Sequence, residues 1–261
     1  MIDREAWDQG WQDSYRQKNW GRLEDEINTP QQRLWVDLFL NSVPQNAKVL
    51  EIGCGGSQML PFLARRRQVE AWGIDYSSAG ISLAQKGFGV EGVEGNLVLG
   101  DALAPNSLPR SFFDVVYSVG VIEHFPPPSN INVMEKFAEY LRPGGIMITL
   151  IPNFAGIVGH LTRIFDRPLY DQHVPLDAEA LDAVHQNAHL LVQQSAQYIG
   201  VFNFYVVNNQ SLEAHVGRFN FRVIRKTTTT FQKLYIKLFP YRESRFFSPY
   251  VIGIYTKPTE H

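Results

Sequence analysis

The order of hydrophobic and polar positions along this 261-residue chain changes near residue 47. Before that point apolar residues recur at helical spacing, which predicts a helical N-terminal cover over residues 1–46. From Lys48 onward short apolar runs alternate with helical segments, an order typical of a parallel sheet covered by helices. The apolar runs predict seven strands, at 48–52, 69–74, 96–99, 113–119, 145–151, 191–199 and 250–255.

Helices are predicted in the gaps between these runs. They cover about 57–67, 77–87, 130–141 and 177–189, with Ser77 and Ser129 as N-caps of the second and third. Between 152 and 176, closely spaced glycines and prolines predict a loop-rich insertion after the fifth strand, and 208–245 carries mixed helical signals. The expected fold is α/β, a Rossmann-like, doubly wound, mostly parallel seven-stranded sheet with helices on both faces. We expect one domain over 1–261, with its core at 47–153.

Composition restricts the classes of function. With 44% hydrophobic and 19% charged residues the chain has the composition of a globular protein, and its net charge of -2 makes nucleic acid an unexpected partner. The single cysteine, Cys54, cannot form an internal disulfide, so nothing indicates an oxidising compartment. The sequence shows neither a secretory signal nor an apolar run long enough to span a membrane. We therefore expect a cytoplasmic protein.

A glycine-rich turn, Gly53-Cys54-Gly55-Gly56, follows the first predicted strand. Glycines let the backbone approach a ligand closely, although such turns also open many purely structural units. The second predicted strand ends at Asp75, about twenty residues further on, where a doubly wound fold places a carboxylate that accepts the hydroxyl hydrogens of a ribose. NAD-binding proteins share both features, and Asp75 could instead be a helix N-terminal acid. The two features alone leave the cofactor open.

Five ordered motifs resemble those of the class I methyltransferases that depend on S-adenosylmethionine (SAM). They are LEIGCGGS (50–57), GIDYS (73–77), LGDA (99–102), FFDVVYSVGVIEHF (112–125) and LRPGGIMITLIPN (141–153). The last two are not expected in an NAD enzyme. The resemblance implies SAM as cofactor and methyl transfer to an oxygen or nitrogen of a small-molecule metabolite. One departure is Ser57, which stands where many members have a third glycine.

The resemblance also implies which residues contact the cofactor. It places Glu51 near the methionine ammonium, Asp75 on the ribose hydroxyls and Tyr76 against the adenine, with Asp101 and the amide of Ala102 near the adenine amino group. The remaining residues expected around the cofactor are Gly53, Cys54, Gly55, Ser118 and Val119.

Candidate catalytic residues follow the fourth predicted strand and occupy the insertion. Glu123 and His124 should face the reacting methyl group, where a base would deprotonate a hydroxyl or ammonium acceptor, although in the family such residues often only shape the site. His173 could bind or deprotonate an acceptor, or cap the next helix. No metal cluster is readable, so none is predicted.

Other segments suggest how an acceptor is held. The acceptor-binding candidates are Asn153 and Tyr170, together with Tyr15 and Trp20, for which simple packing is the favoured explanation. A basic, aromatic stretch between Arg218 and Arg245 is expected to cover the acceptor pocket or pack on the sheet. It also motivates one alternative, methylation of a lipophilic quinone or lipid by peripheral contact with a membrane. The other alternative is a non-catalytic SAM-binding protein. The sequence indicates no oligomeric state.

Overall fold

A sheet of seven strands lies at the centre of the described part of the chain. The computed structural model describes residues 21–27, 30–201, 209–238 and 243–259. The strand order is β3-β2-β1-β4-β5-β7-β6. Strands β1 to β5 are parallel, whereas β7 runs antiparallel to both β5 and β6. The strands are β1 (Lys48–Ile52), β2 (Glu70–Asp75), β3 (Asn96–Leu99), β4 (Phe113–Val119), β5 (Leu141–Pro152), β6 (Leu191–Ile199) and β7 (Tyr250–Thr256).

Helices cover the sheet and form the insertion after β5. Those before the insertion are α1 (Leu23–Glu26), α2 (Pro30–Ser42), α3 (Met59–Arg67), α4 (Ser78–Glu91) and α5 (Ser129–Tyr140), with a 3-10 helix at Ile122–His124. Those that follow β5 are α6 (Ile157–Phe165), α7 (Arg167–Tyr170), α8 (Ala178–Asn187), α9 (Asn209–Val216) and α10 (Arg218–Leu238). Among the described helices, none combines the length and apolar character needed to span a bilayer.

Two apolar cores lie on opposite faces of the sheet. Val49 and Val115 belong to one cluster, and their chain neighbours Leu50 and Val116 belong to the other. Successive side chains of a strand point to opposite faces, so a strand covered on both sides is apolar at nearly every position. This is why the strands appear in the sequence as continuous apolar runs. The expected doubly wound α/β fold is confirmed, with an antiparallel hairpin at one edge.

Most predicted element boundaries agree with the structure within a few residues. β5 begins earlier than predicted, at Leu141, because a register shift against β4 lets the strand continue through Pro143 and its two glycines. The Ser77 hydroxyl accepts a hydrogen bond from the amide of Gly80 at 3.0 Å, which confirms it as the N-cap of α4. The prediction for Ser129 was wrong, since Ser129 is the first residue of α5 and its hydroxyl donates to the carbonyl of Pro126.

The insertion is more helical than the predicted loop. Gly159 lies inside α6, where a Cβ atom would come within 1.9 Å of the carbonyl oxygen of Phe154. Pro168 lies in the first turn of α7, whose amides need no intrahelical acceptor, and Asp166 caps that helix through the amide of Leu169. The glycines and prolines that predicted a loop therefore serve close packing and helix initiation here.

The N-terminal cover is described only from residue 21, so Tyr15 and Trp20 lie outside the described residues. Phe39 of α2 packs edge-on against Tyr117 of β4, with ring centroids 5.0 Å apart. A run of arginines, residues 65–67, ends α3. Within it, Arg65 pairs with Glu91 of α4 at 2.5 Å and with Glu24 of α1 at 2.7 Å, so it links these helices.

Candidate active site

A cavity of about 570 Å³ lies at the carboxyl ends of the central strands. β1 is bordered there by β2 on one side and β4 on the other, which makes this the point where the strand order reverses. Ligands of open α/β sheets bind at such a switch point. The lining residues are Ile52, Gly53, Ile74, Asp75, Tyr76, Gly100, Asp101, Ala102, Leu103, Val119, Gly120, Val121, His124, Phe125, Pro126 and Phe137.

The glycine turn after β1 forms one wall of this cavity. Gly53 has a φ of +74°, in the left-handed region that favours glycine. A Cβ atom on Gly55 would lie 2.9 Å from Oδ2 of Asp75, so a side chain there would meet the carboxylate. Ser57, which replaces the third glycine, accepts a hydrogen bond from the amide of Leu60 at 3.2 Å. The departure from the family motif thus serves to begin α3.

Asp75 holds a fixed carboxylate at the cavity wall. Its Oδ2 accepts a hydrogen bond from the amide of Gly55 and its Oδ1 accepts one from the amide of Ser77, each at 2.8 Å. These two bonds fix the orientation of the carboxylate, an acceptor group of the kind that binds ligand hydroxyls. The contact between Gly55 and Asp75 also joins the ends of β1 and β2.

Six of the residues predicted to contact the cofactor line the cavity: Gly53, Asp75, Tyr76, Asp101, Ala102 and Val119. The lining does not include Glu51, Cys54, Gly55 or Ser118. The cavity also has apolar walls that the motifs did not assign. Ile52 and Ile74 could have been inferred, because they directly precede Gly53 and Asp75 in the chain. Phe137 comes from α5 and carried no signal in the sequence.

Glu51 is buried on the face of β1 that packs against α2 and α3. It accepts a hydrogen bond from the hydroxyl of Tyr117 at 2.8 Å. Burial raises the pKa of Glu51 to about 7, against the opposing effect of hydrogen bonds from Ser57 and Tyr117. Cys54 is likewise buried, and burial raises the pKa of its thiol. A thiol with a raised pKa is a poor nucleophile.

The segment after β4 presents a buried acid beside the cavity. Neither carboxyl oxygen of Glu123 has a hydrogen-bond partner among the described residues, and burial raises its pKa to about 8. The backbone carbonyl of Glu123 accepts a hydrogen bond from the amide of Val174 at 2.6 Å. The insertion is therefore attached directly to the segment that faces the cavity.

His124 and His173 lie side by side, with ring centroids 4.4 Å apart. Nδ1 of His124 is 3.0 Å from the carbonyl of Gln172, and Nδ1 of His173 is 2.7 Å from that of Leu169. Each Nδ1 therefore carries a proton and donates it to a carbonyl. Burial lowers the pKa of both rings, that of His173 to about 4, where the neighbouring His124 adds to the effect. His173 also stacks on Phe154 at 4.1 Å.

Comparison with known proteins finds similar methyltransferases. Residues 49–145 match the family model described as a methyltransferase domain. A ubiquinone biosynthesis O-methyltransferase of Azoarcus sp. (strain BH72) is 29% identical over 173 residues, which are 63% of this chain and 72% of that protein. A protein of the same name from Pseudomonas fluorescens (strain SBW25) is 34% identical over 113 residues, 42% of this chain and 46% of its own length. These matches support a class I SAM-dependent methyltransferase.

A solved structure supports the same fold for the methyltransferase. A SAM-dependent methyltransferase from Archaeoglobus fulgidus aligns over 90% of this chain and 97% of that chain, with a TM-score of 0.56 and 18% identity. The methyltransferase family match supports SAM as the cofactor. The cavity lies at the switch point, where open α/β sheets bind their ligands. The chain spans about half the length of several curated relatives, so the acceptor must be considered from its own residues.

The methyltransferase also brings together a group that could hold a metal ion. Glu123, His124 and His173 each offer a ligand atom, and these atoms lie within 4.8 Å of one another. The hydrogen bonds from both Nδ1 atoms to backbone carbonyls are of the kind that orient histidine ligands. No such group was readable in the sequence, because His173 reaches the other two only through the folded insertion.

The remaining acceptor-binding candidates have different surroundings. The side-chain amide of Asn153 donates to the carbonyls of Arg245 and Ser248, each at 2.8 Å, so it fixes the turn before β7. The ring of Tyr170 is half-buried, 6.1 Å from that of Phe154. Phe154 was not predicted, and only its place directly after Asn153 could have suggested it.

Proposed function

We propose that the methyltransferase transfers the methyl group of SAM to a hydroxyl oxygen of a small, flat acceptor. The observation that carries this proposal is a pair of neutral histidines, of which His124 lines the cavity and His173 lies against it with ring centroids 4.4 Å apart. The sulfonium already activates the methyl group, so alignment of the acceptor can supply roughly 7–11 kcal/mol of the barrier. A hydroxyl acceptor must in addition lose its proton, which requires a base within reach.

Of the two rings, His173 is the proposed base. Because its Nδ1–H donates to the carbonyl of Leu169, its Nε2 carries a lone pair that can accept a proton. His124 is bonded to the backbone of both Gln172 and Gly120, which favours a role in positioning. In this proposal Glu123 stays protonated in its buried position and His124 sets the orientation of His173.

The cofactor lies along the cavity in this proposal. Asp75 binds the ribose hydroxyls, Tyr76 and Asp101 lie beside the adenine, and the methyl group points toward Gly120 and His124. On the acceptor side, residues 154–261 supply the surrounding elements. The aromatic rings of Phe154 and Tyr170 beside His173 favour a flat, apolar acceptor. The curated relatives are named O-methyltransferases, which supports oxygen as the methylated atom.

The test is to incubate the protein with methyl-labelled SAM and separate series of phenols, amines and carbon acids. We expect the label on the oxygen of a phenol. Label recovered only on nitrogen or carbon would show that the proposal is wrong. If SAM binds but no acceptor from any class yields S-adenosylhomocysteine (SAH), the non-catalytic alternative is correct.

The role of His173 is tested with a His173→Gln variant and a matched His160→Gln control, whose histidine is exposed on α6. We expect a loss of turnover of about 100-fold in the first variant only, within the range for a positioned base. The loss should shrink as the phenol becomes more acidic, because an acidic phenol needs less help to deprotonate. An equal loss across the phenol series would contradict a base. Complete loss of turnover on chelation of divalent ions would show that the cluster acts by holding a metal.

A further inference from the structure

Helix α10 carries charge of one sign. Over its 21 residues, Arg218–Leu238, it has no acidic residue. It contains six basic ones, Arg218, Arg222, Arg225, Lys226, Lys233 and Lys237. The whole chain has a net charge of -2, so the remainder of the protein is negatively charged and the helix is a local region of positive charge. At 1.5 Å per residue the helix presents this charge along about 30 Å.

One side of α10 packs on the protein. Phe221 and Gln232 are buried, and the side-chain amide of Gln232 donates to the carbonyl of Val201 at 2.6 Å. Residues 11 apart lie on the same side of a helix with 3.6 residues per turn. These two residues therefore mark the attached side along half the length of the helix.

Another side of α10 exposes large apolar side chains. Val223, Phe231, Leu234 and Leu238 are between 45% and 68% exposed, and their spacing of eight, three and four residues places them in one stripe. Phe219 lies at the margin of this stripe and is 78% exposed. The basic residues Lys226, Lys233 and Lys237 border the stripe on the side away from Gln232. Exposed apolar stripes of this size mark interaction surfaces.

We propose that α10 docks the protein on a membrane surface that carries anionic lipids. The apolar stripe would enter the boundary between headgroups and acyl chains, and the flanking cations would contact lipid phosphates, as in helices that lie in the plane of a membrane. Charge decides between this partner and a second copy of the chain. Pairing two α10 helices along their stripes would bring the three bordering lysines of one copy close to those of the other, whereas an anionic surface complements them.

The stripe belongs to the same side of the molecule as the insertion. α9 packs between α6 and α10, and the ring of His215 in α9 lies 5.5 Å from that of Phe165 in α6. Ile164, at the end of α6, is also exposed. The insertion that contains Phe154 and His173 is thus continuous with the docking surface. A lipid-bound protein would present its acceptor side to the membrane.

Co-sedimentation of the full chain with lipid vesicles tests this docking. The protein should sediment with vesicles of phosphatidylcholine mixed with phosphatidylglycerol, and far less with phosphatidylcholine alone. Replacing Phe231 and Leu234 together by Ser should abolish sedimentation, whereas the matched Leu191→Ser change, at an equally exposed leucine of β6, should not. Replacing Lys226 and Lys233 by Gln should weaken binding on the order of 10-fold or more, and Lys136→Gln should have little effect.

Several outcomes would overturn the proposal. One is that vesicles of either composition fail to bind the protein. Another is that the double Ser variant converts a dimer to a monomer in sedimentation velocity, which would assign the stripe to a second copy. A third is that the same variant lowers the Tm, which would show that another part of the chain covers the stripe. None of these measurements uses methyl transfer, so the result is independent of the proposed acceptor chemistry.

Discussion

Replacing Asp75 by Asn should weaken SAM binding by about 10- to 150-fold. The carboxylate lines the cavity and is oriented by the amides of Gly55 and Ser77. Asn has the same shape but only one acceptor oxygen and no charge. A hydrogen bond to a charged group contributes about 1.5–3 kcal/mol, and each 1.4 kcal/mol corresponds to a factor of ten in affinity.

A thermodynamic cycle separates the ribose contact from the structural role of Asp75. Calorimetry would measure SAH and its 2′-deoxy analogue against the wild-type protein and the Asp75→Asn variant. If the carboxylate accepts the ribose hydroxyl, removal of that hydroxyl weakens binding to the wild type but has little further effect on the variant. The two changes should then be non-additive by about 1 kcal/mol or more, as expected for groups in contact.

The matched control for this cycle is Asp101→Asn, which lines the same cavity but is expected at the adenine end. It should weaken both ligands equally, so its coupling to the 2′-hydroxyl should be near zero. If the losses in binding free energy caused by Asp75→Asn and by removal of the 2′-hydroxyl were also additive, the carboxylate would serve only to hold the glycine turn. The ribose contact would then be refuted, whatever the loss in overall affinity.

Two further predictions concern the protein on either side of the cofactor. Because burial raises the pKa of Glu51 from 4.5 to about 7, stability falls as the pH rises through this range by about 1.4 kcal/mol per unit. Between pH 4.5 and pH 8, denaturant unfolding should therefore show that Glu51→Gln gains roughly 3 kcal/mol of stability relative to the wild type. A stability difference between the two proteins that is the same at both pH values would contradict this. In Gly159→Ala the added methyl group should displace the carbonyl of Phe154 and slow methyl transfer about 100-fold without changing SAM affinity. The control Gly89→Ala, whose added methyl group meets no neighbouring atom, should not slow methyl transfer. Normal turnover in Gly159→Ala would refute the coupling.

The strands, and the presence of Gly53 and Asp75 together in one cavity, could be predicted because they depend on local order in the sequence. Gly53 follows β1 and Asp75 ends the adjacent parallel strand β2, so the alternation of elements alone brings them to one edge of the sheet. Phe137 reaches the same cavity from α5, and nothing in its local pattern distinguishes it from an ordinary core residue. The prediction of a loop-rich insertion was wrong for a related reason. Gly159 breaks the helical pattern locally, but its close contact with Phe154 fixes the helix in the fold.

The acceptor end depends instead on contacts between distant parts of the chain. His124 and His173 were each noticed in the sequence, yet their adjacency and the identity of the protonated ring nitrogen follow from folded backbone carbonyls. Sequence spacing contains no information on either point. The sequence of a polar loop is therefore compatible with several roles for its histidine, and the folded neighbours decide between them.

This difference has a functional consequence for the methyltransferase. The hydrogen bond from the amide of Val174 to the carbonyl of Glu123 fixes the insertion against the segment that lines the cavity at His124 and Phe125. Asp75, at another part of the cavity wall, is joined to Gly55 by a separate contact that does not involve the insertion. If the proposed function is correct, we expect changes in the insertion to alter the acceptor and its alignment while SAM affinity is kept. Such independence would let one fold serve different acceptors, and it directs the search for the acceptor to the residues around His173.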